Sequence, residues 1–258
     1  MEFQILITND DGIHSPGLTA LEKALSPLGS VTTVAPDREM SAASHRITMH
    51  QPLRYREVAP HRFSVDGSPA DCVILACLQI LKQRPALVIS GVNRGVNLGD
   101  DINYSGTVSA AFEAVLQGIP AIAVSTFAHD SSDFDSAARV AARLSERIIE
   151  HGLPPDVVLN VNFPRIWNGA VRLTRQGRQA MQSVVVGNTD PRGIEYFWLH
   201  EKLARTKGEA DRSNGTRMTD VNAVAAGYVS VSPLHLDRTA HAHFDRFTDW
   251  IDGVEWSE

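Results

Sequence analysis

The chain has 258 residues, 24 Lys and Arg against 30 Asp and Glu, a formal charge of -6, and 43% hydrophobic with 21% charged residues. That is globular composition, long enough for one large domain or one domain with an elaborated appendage. The acidic balance, with no block of consecutive basic residues, argues against a nucleic acid polymer as partner, and no apolar run approaches the roughly 18–20 residues that cross a bilayer, so no membrane partner is expected.

The first residues, Met1-Glu2-Phe3-Gln4-Ile5-Leu6-Ile7, carry no basic leader and read as the start of a strand, which sets the expectation of a cytoplasmic protein. β-branched runs at 3–8, 31–35, 87–90, 121–125 and 157–161, bounded by Asn, Asp, Pro or Gly, predict buried strands. Helix-spaced apolar residues fill 17–25, 70–81, 108–116 and 134–149 between them. This alternation predicts an α/β fold, a doubly wound and mostly parallel sheet covered on both faces.

Residues 58–65 read as an extra strand or a hairpin. Beyond 165 the pattern changes: strands are expected at 172–186 and 196–199, an exposed polar loop at 206–218, and a strand at 227–233 ended by Pro233. Cys72 and Cys77 would point about 140° apart on a helix, poor geometry for a disulfide, so they read as small buried hydrophobes. His241 and His243 form the one tight histidine pair, read as exposed or as an oligomer contact.

Chemistry-bearing residues gather at strand ends. The first strand runs into Thr8-Asn9-Asp10-Asp11-Gly12, where two adjacent carboxylates leaving a buried strand repel each other and call for a cation. An Asp-Gly turn with a helix N-cap is the other use of such a segment. The second strand ends in a segment with Ser41, and the strand at 87–90 ends in Gly91-Val92-Asn93-Arg94-Gly95-Val96-Asn97-Leu98-Gly99. In a parallel sheet these ends share one edge, so Asp10, Asp11, Ser41 and Asn93 can converge as hard oxygen ligands suited to Mg²⁺, Mn²⁺ or Ca²⁺. Tyr104-Ser105-Gly106-Thr107 opens a helix, which makes either a phosphate cradle or simple Ser/Thr capping. No G-x-G-x-x-G, Walker A lysine, Asp-x-Asp or G-x-S-x-G pattern stands where those chemistries need it.

The ordered motifs Thr-Asn-Asp-Asp-Gly-Ile (8–13), Val-Ala-Pro-Asp-Arg-Glu (34–39), Gly-Ser-Pro-Ala-Asp-Cys-Val (67–73) and Ser-Gly-Val-Asn-Arg-Gly-Val-Asn-Leu-Gly-Asp-Asp (90–101), running into Tyr-Ser-Gly-Thr-Val-Ser-Ala-Ala (104–111), resemble the stationary-phase survival protein SurE family of metal-dependent nucleotidases. The likeness resumes at Asn160-Val-Asn-Phe-Pro164 and from Thr219-Asp220 to Leu234. The resemblance implies a phosphomonoesterase releasing phosphate from nucleoside 5'- and 3'-monophosphates, with short-chain polyphosphate as a further substrate. It implies one Mg²⁺ or Mn²⁺ per subunit on Asp10, Asp11, Ser41 and Asn93, and a phosphate site lined by Asn9, Asn97, Ser105, Gly106 and Thr107. Asp10 and Asp11 are the expected catalytic residues, by attack of a metal-bound hydroxide or through an aspartyl-phosphate. Met40 stands where many members carry a basic residue, with Arg38 or Arg94 placed to compensate. A non-catalytic nucleotide- or metal-sensing module is the alternative reading.

The expected organisation is a Rossmann-like catalytic core over 1–165. An extension over 166–258 follows, with hairpin arms and an oligomerisation tail, partly returning to the core. A homodimer or homotetramer is expected, with Tyr228, Val229, Val231 and Leu234 packing on a partner, or alternatively on their own subunit.

Overall fold

A computed structural model describes residues 3–128, 130–178, 181–203, 217–252 and 254. In chain order the first half contains β1 (Phe3–Thr8), α1 (Pro16–Leu25), β2 (Gly29–Pro36), β3 (Tyr55–Ala59), β4 (Arg62–Val65), α2 (Pro69–Leu75), β5 (Leu87–Arg94) and α3 (Gly106–Leu116). There follow β6 (Ala121–Thr126), α4 (Ser131–His151), β7 (Val157–Phe163), β8 (Val171–Leu173), β9 (Met181–Thr189), β10 (Glu195–Leu203), α5 (Asp220–Ala225), β11 (Val229–His235) and α6 (Phe244–Asp252).

Nine strands form one sheet in the order β3-β4-β2-β1-β5-β6-β7-β11-β8. From β4 to β7 every neighbouring pair is parallel. β3 and β11 run antiparallel to their neighbours β4 and β7. The centres of β1, β5 and β6 are buried on both faces, and Ile5–Ile7, Leu87–Ile89 and Ala121–Val124 read as apolar runs for that reason. On one face α1 and α4 cover Ile5, Ile7, Ile89, Ile122 and Val124. On the other α2 and α3 cover Leu6, Val34, Val88, Ala121 and Ala123. The chain leaves β1 toward β2 on one side and later returns to place β5 on the other, so the C-terminal ends of β1 and β5 flank the crevice where such sheets bind ligands.

Local signals place the helices. Ser15 caps α1 by accepting from Gly17 N–H, with Pro16 as its first residue. Gly17 allows α1 to lie against the end of β5: a Cβ there would come 2.1 Å from the Val92 carbonyl oxygen. The helix expected over 70–81 is α only as far as Leu75 and continues as a π turn, Ala76–Ile80. Cys72 is buried and Cys77 half-buried.

Several expectations change beyond 165. The strand expected at 172–186 is two separate strands, β8 in the central sheet and β9 in a hairpin with β10. Pro233 does not end its strand. Val231 offers its carbonyl oxygen to Thr174 N–H, so Pro233, two residues on, faces the same side, where β8 has already ended and no donor is needed. β11 pairs with β7 of its own chain and buries Val229, Val231 and Leu234, so these residues pack within the subunit and not on a partner. The polar loop expected at 206–218 falls, up to residue 216, outside the described residues. His241 and His243 lie in an exposed turn, where His241 Nε2 is 2.6 Å from Asp237 Oδ2.

Candidate active site

At the end of β1, Asp10 is only 5% exposed. Its Oδ1 accepts from the Thr107 hydroxyl at 2.5 Å, and its backbone carbonyl accepts from Met40 N–H at 2.7 Å. These two bonds bring together the end of β1, the N-terminus of α3 and the loop after β2. Gly106 makes the approach feasible, because a Cβ there would come within 2.8 Å of Asp10 Oδ2. Ser105 caps α3 through Val108 N–H at 3.1 Å. The first turn of α3 therefore presents its positive end to the Asp10 carboxylate.

Asp11 follows at the rim, its Oδ2 accepting from Arg94 N–H at 3.2 Å. That bond ties it to the end of β5, where the β5–β6 register shifts between Ser90 and Asn93 and a bulge re-aims the strand. Asn93 Nδ2 donates to Gly95 O at 2.8 Å, and its side-chain oxygen carries no hydrogen bond among the described residues. Burial pushes the Asp10 carboxyl above the ordinary value of 3.8 despite the Thr107 bond. Burial first, and the Asp10 charge second, push Asp11 up to about 6. Glu39 adds to both shifts.

The other expected site residues are placed differently. Ser41 is exposed and donates to Glu39 Oε1 at 2.7 Å. Asn9 is fully buried, its side-chain nitrogen on Gly12 O at 3.1 Å and its oxygen on Gly12 N–H at 3.2 Å, so it braces the turn that carries the two aspartates. Asn97 is drawn into a buried amide network. Its Nδ2 donates to Ser125 Oγ, its N–H to Asn162 Oδ1, and its carbonyl accepts from Asn160 and Asn162. Thr107 spends its hydroxyl proton on Asp10. Asn9, Asn97 and Thr107 therefore position the site, while Ser105 and Gly106 are buried at the start of α3, Ser105 as its cap and Gly106 against Asp10.

Two contributors escaped the sequence reading. Glu39 stands two residues before Ser41 and feels both aspartates, and its place in the 34–39 motif was the available signal. Asp220, fully buried, accepts from Gly99 N–H at 2.9 Å and Gly177 N–H at 2.7 Å, clamping the loop after β5 from a distance of 121 residues in sequence. A buried polar row lies beneath α3: Thr8 Oγ1, Ser90 Oγ and Asn160 Oδ1, in register across the sheet through Ala123, have no partner among the described residues.

No three His, Cys, Asp or Glu side chains converge on a metal position among the described residues. The donor set is instead two carboxylates that destabilise each other and a neutral amide oxygen. This suits a hard divalent cation, which would offset both the burial of the two charges and the repulsion that Asp11 feels from Asp10. Asp10, Asp11 and Asn93 carry oxygens of the right chemistry for such an ion, whereas the Ser41 hydroxyl is turned to Glu39.

The family model for Survival protein SurE matches residues 5–183. The 5'-nucleotidase SurE of Syntrophotalea carbinolica is 49% identical over 250 residues, covering 95% of this chain and 96% of that protein. The 5'-nucleotidase SurE of Citrifermentans bemidjiense is 47% identical over 252 residues, covering 96% and 98%. The crystal structure of SurE protein from Aquifex aeolicus superposes with a TM-score of 0.81 at 40% identity, covering 96% of this chain and 99% of that one.

Proposed function

The chain belongs to the survival protein SurE family, and from that membership we infer that it is a 5'-nucleotidase, a hydrolase releasing phosphate from nucleoside monophosphates. The observation in this chain that carries the reading is the pair Asp10 and Asp11, held at the end of β1 against the N-terminus of α3. Activity on 3'-monophosphates and a requirement for Mg²⁺ or Mn²⁺ belong to the same proposal.

Asp10, Asp11 and Asn93, joined by Ser41, would hold the ion. When bound it acts as a Lewis acid toward the phosphoryl group and lowers the pKa of water. The chain's own groups do the rest. Thr107 fixes the rotamer of Asp10, and the Arg94 N–H fixes that of Asp11. Gly106 lets the Asp10 carboxylate lie against the first turn of α3, whose partial positive charge would oppose the negative charge that grows on the equatorial oxygens of a nearby phosphoryl group. Hydrolysis breaks the ester P–O bond, joins the water oxygen to phosphorus and passes a proton to the departing alcohol.

A homodimer or homotetramer is part of the proposal. The β9–β10 hairpin exposes apolar residues on both faces, with Phe197 64%, Trp198 66% and Leu199 80% exposed. An isolated two-stranded ribbon of that kind is marginal in water and gains most from a neighbour.

Phosphate release from AMP and 3'-AMP, with and without EDTA, tests the activity. Release that stops in chelator and returns with Mn²⁺ or Mg²⁺ is the expected result. Undiminished release in chelator would overturn the metal requirement, and no release from any monophosphate with metal added would overturn the nucleotidase.

A further inference from the structure

The loop after β2 carries Glu39 and Ser41, and from residue 39 to residue 54 it is neither helix nor strand. The turn that bears Ser41 is nevertheless held on both sides. On one side Met40 N–H donates to the Asp10 carbonyl at 2.7 Å, and the Met40 carbonyl accepts from Ala43 N–H at 3.3 Å. On the other, Ser44 donates through its N–H to Tyr104 O at 3.1 Å and through its hydroxyl to Asn103 O at 2.8 Å. Ala42 and Ser44 have φ of 58° and 52°, left-handed conformations that residues with a Cβ rarely adopt. Such a backbone persists only where its surroundings over-determine it.

His45 supplies the next contact. Its Nε2 lies 3.0 Å from Oε2 of Glu113, a residue of α3 that is only 6% exposed. The other carboxylate oxygen, Oε1, accepts from Gln117 Nε2 at 2.9 Å. The His45 bond, with help from Gln117, holds the Glu113 carboxyl below its ordinary value of 4.5 against the cost of burial. An ionised carboxylate only accepts hydrogen bonds, so the proton between the two side chains belongs to His45 Nε2. One rigid element therefore grips two parts of the candidate site. Thr107, in the first turn of α3, fixes Asp10, and Glu113, about 9 Å further along the helix axis, fixes the loop that carries Ser41.

We propose that His45 is a positioning residue for the metal site: anchored on Glu113, it holds the Ser41 turn against the end of β1 and thereby raises the affinity for the divalent ion. The proposal rests on the metal-dependent nucleotidase reading and adds to it a residue that acts through the loop. Ordering the loop in advance removes an entropic cost that binding would otherwise have to meet.

The test compares wild type with His45→Ala, His45→Gln, Glu113→Gln and His45→Ala/Glu113→Gln. It measures calorimetric binding of Mn²⁺ to the full chain, hydrogen exchange over residues 40–46, thermal melting in EDTA, and phosphate release from AMP. His45→Ala is expected to weaken Mn²⁺ binding by on the order of tenfold and to speed exchange of the Met40, Ala43 and Ser44 amides by about the same factor. His45→Gln keeps an N–H donor for Glu113 and is expected to restore most of both. The double variant is expected to lose no more than His45→Ala, because the two residues act through one contact. A lower melting temperature with wild-type Mn²⁺ affinity would make the pair a purely structural tie and overturn the proposal, and additive losses in the double variant would do the same. If wild type neither binds Mn²⁺ nor releases phosphate from AMP, the nucleotidase reading fails separately, and exchange decides whether His45 holds the loop: faster exchange in His45→Ala sustains that role, and unchanged exchange refutes it.

Discussion

Asp10 and Asp11 show how a site is kept at a cost in stability. Each carboxyl sits above its ordinary value because burial disfavours the charged form, with the Asp10 charge adding to the rise of Asp11 and Glu39 adding to both, Asp11 reaching about 6. A carboxyl whose folded pKa exceeds its unfolded value binds its proton more tightly when folded. Its stabilising effect is therefore full below about pH 4, the unfolded value, and is lost as pH rises through about 6. Metal-free protein is expected to melt at lower temperature at pH 7.5 than at pH 5 on account of this pair, and Asp11→Asn is expected to flatten that dependence while abolishing turnover. Thermal melts in EDTA across that range check it, and a wild-type profile identical to that of Asp11→Asn would refute the account. Thr107 gives a second residue-scale prediction. Thr107→Val removes the donor that orients Asp10 and is expected to lower kcat, with Thr107→Ser restoring it. Ser105→Ala, losing the α3 cap, is expected to cost about 1 kcal/mol of stability.

At the scale of elements, close backbone approach decides what the helices can do. α3 reaches Asp10 only because position 106 has no side chain, and Gly106→Ala would set a methyl carbon 2.8 Å from Asp10 Oδ2. The substitution is compatible with the helix, so activity is expected to fall far more than stability, which parallel kinetics and melting would show. Gly17→Ala is the contrasting case. A Cβ 2.1 Å from the Val92 carbonyl oxygen forces α1 off the end of β5, and overpacking of this kind costs roughly 1–3 kcal/mol. A melting temperature unchanged from wild type would show that the contact yields more easily than its geometry implies.

For the whole molecule, the C-terminal region divides in two. β11 is an interior strand between β7 and β8, so deleting 217–258 removes part of the core and is expected to leave unfolded or aggregated protein. Deleting 238–258 removes, among the described residues, the exposed turn and α6, whose Phe244, Phe247, Trp250 and Ile251 are each more than 40% exposed, and no strand of the central sheet. That shorter deletion is expected to keep a folded subunit with weakened self-association. Sedimentation of the full chain and of this deletion over the micromolar range decides the matter: a full-length chain that stays monomeric throughout would refute the oligomer, whatever its activity.

The sequence by itself determined the α/β alternation, the strands ending at Thr8 and near Ser125, and the pair Asp10-Asp11. Strand periodicity, Asp and Gly at strand ends, and capping residues are local signals readable within a few positions. It also placed Asn93 and the opening of α3 near those aspartates, because a parallel sheet brings its strand ends to one edge. Tertiary structure alone decided which polar groups face the cleft and which are spent as braces. Asn9 turns to Gly12, Asn97 to partners on β6 and β7, and Thr107 to Asp10. It likewise decided that β11 enters its own sheet, that Asp220 clamps the loop after β5, and that His45 meets Glu113 across 68 residues of sequence. Each of these depends on a contact between segments far apart in sequence, set by packing of the whole core, and residue type and spacing leave several partners equally open until that packing is fixed.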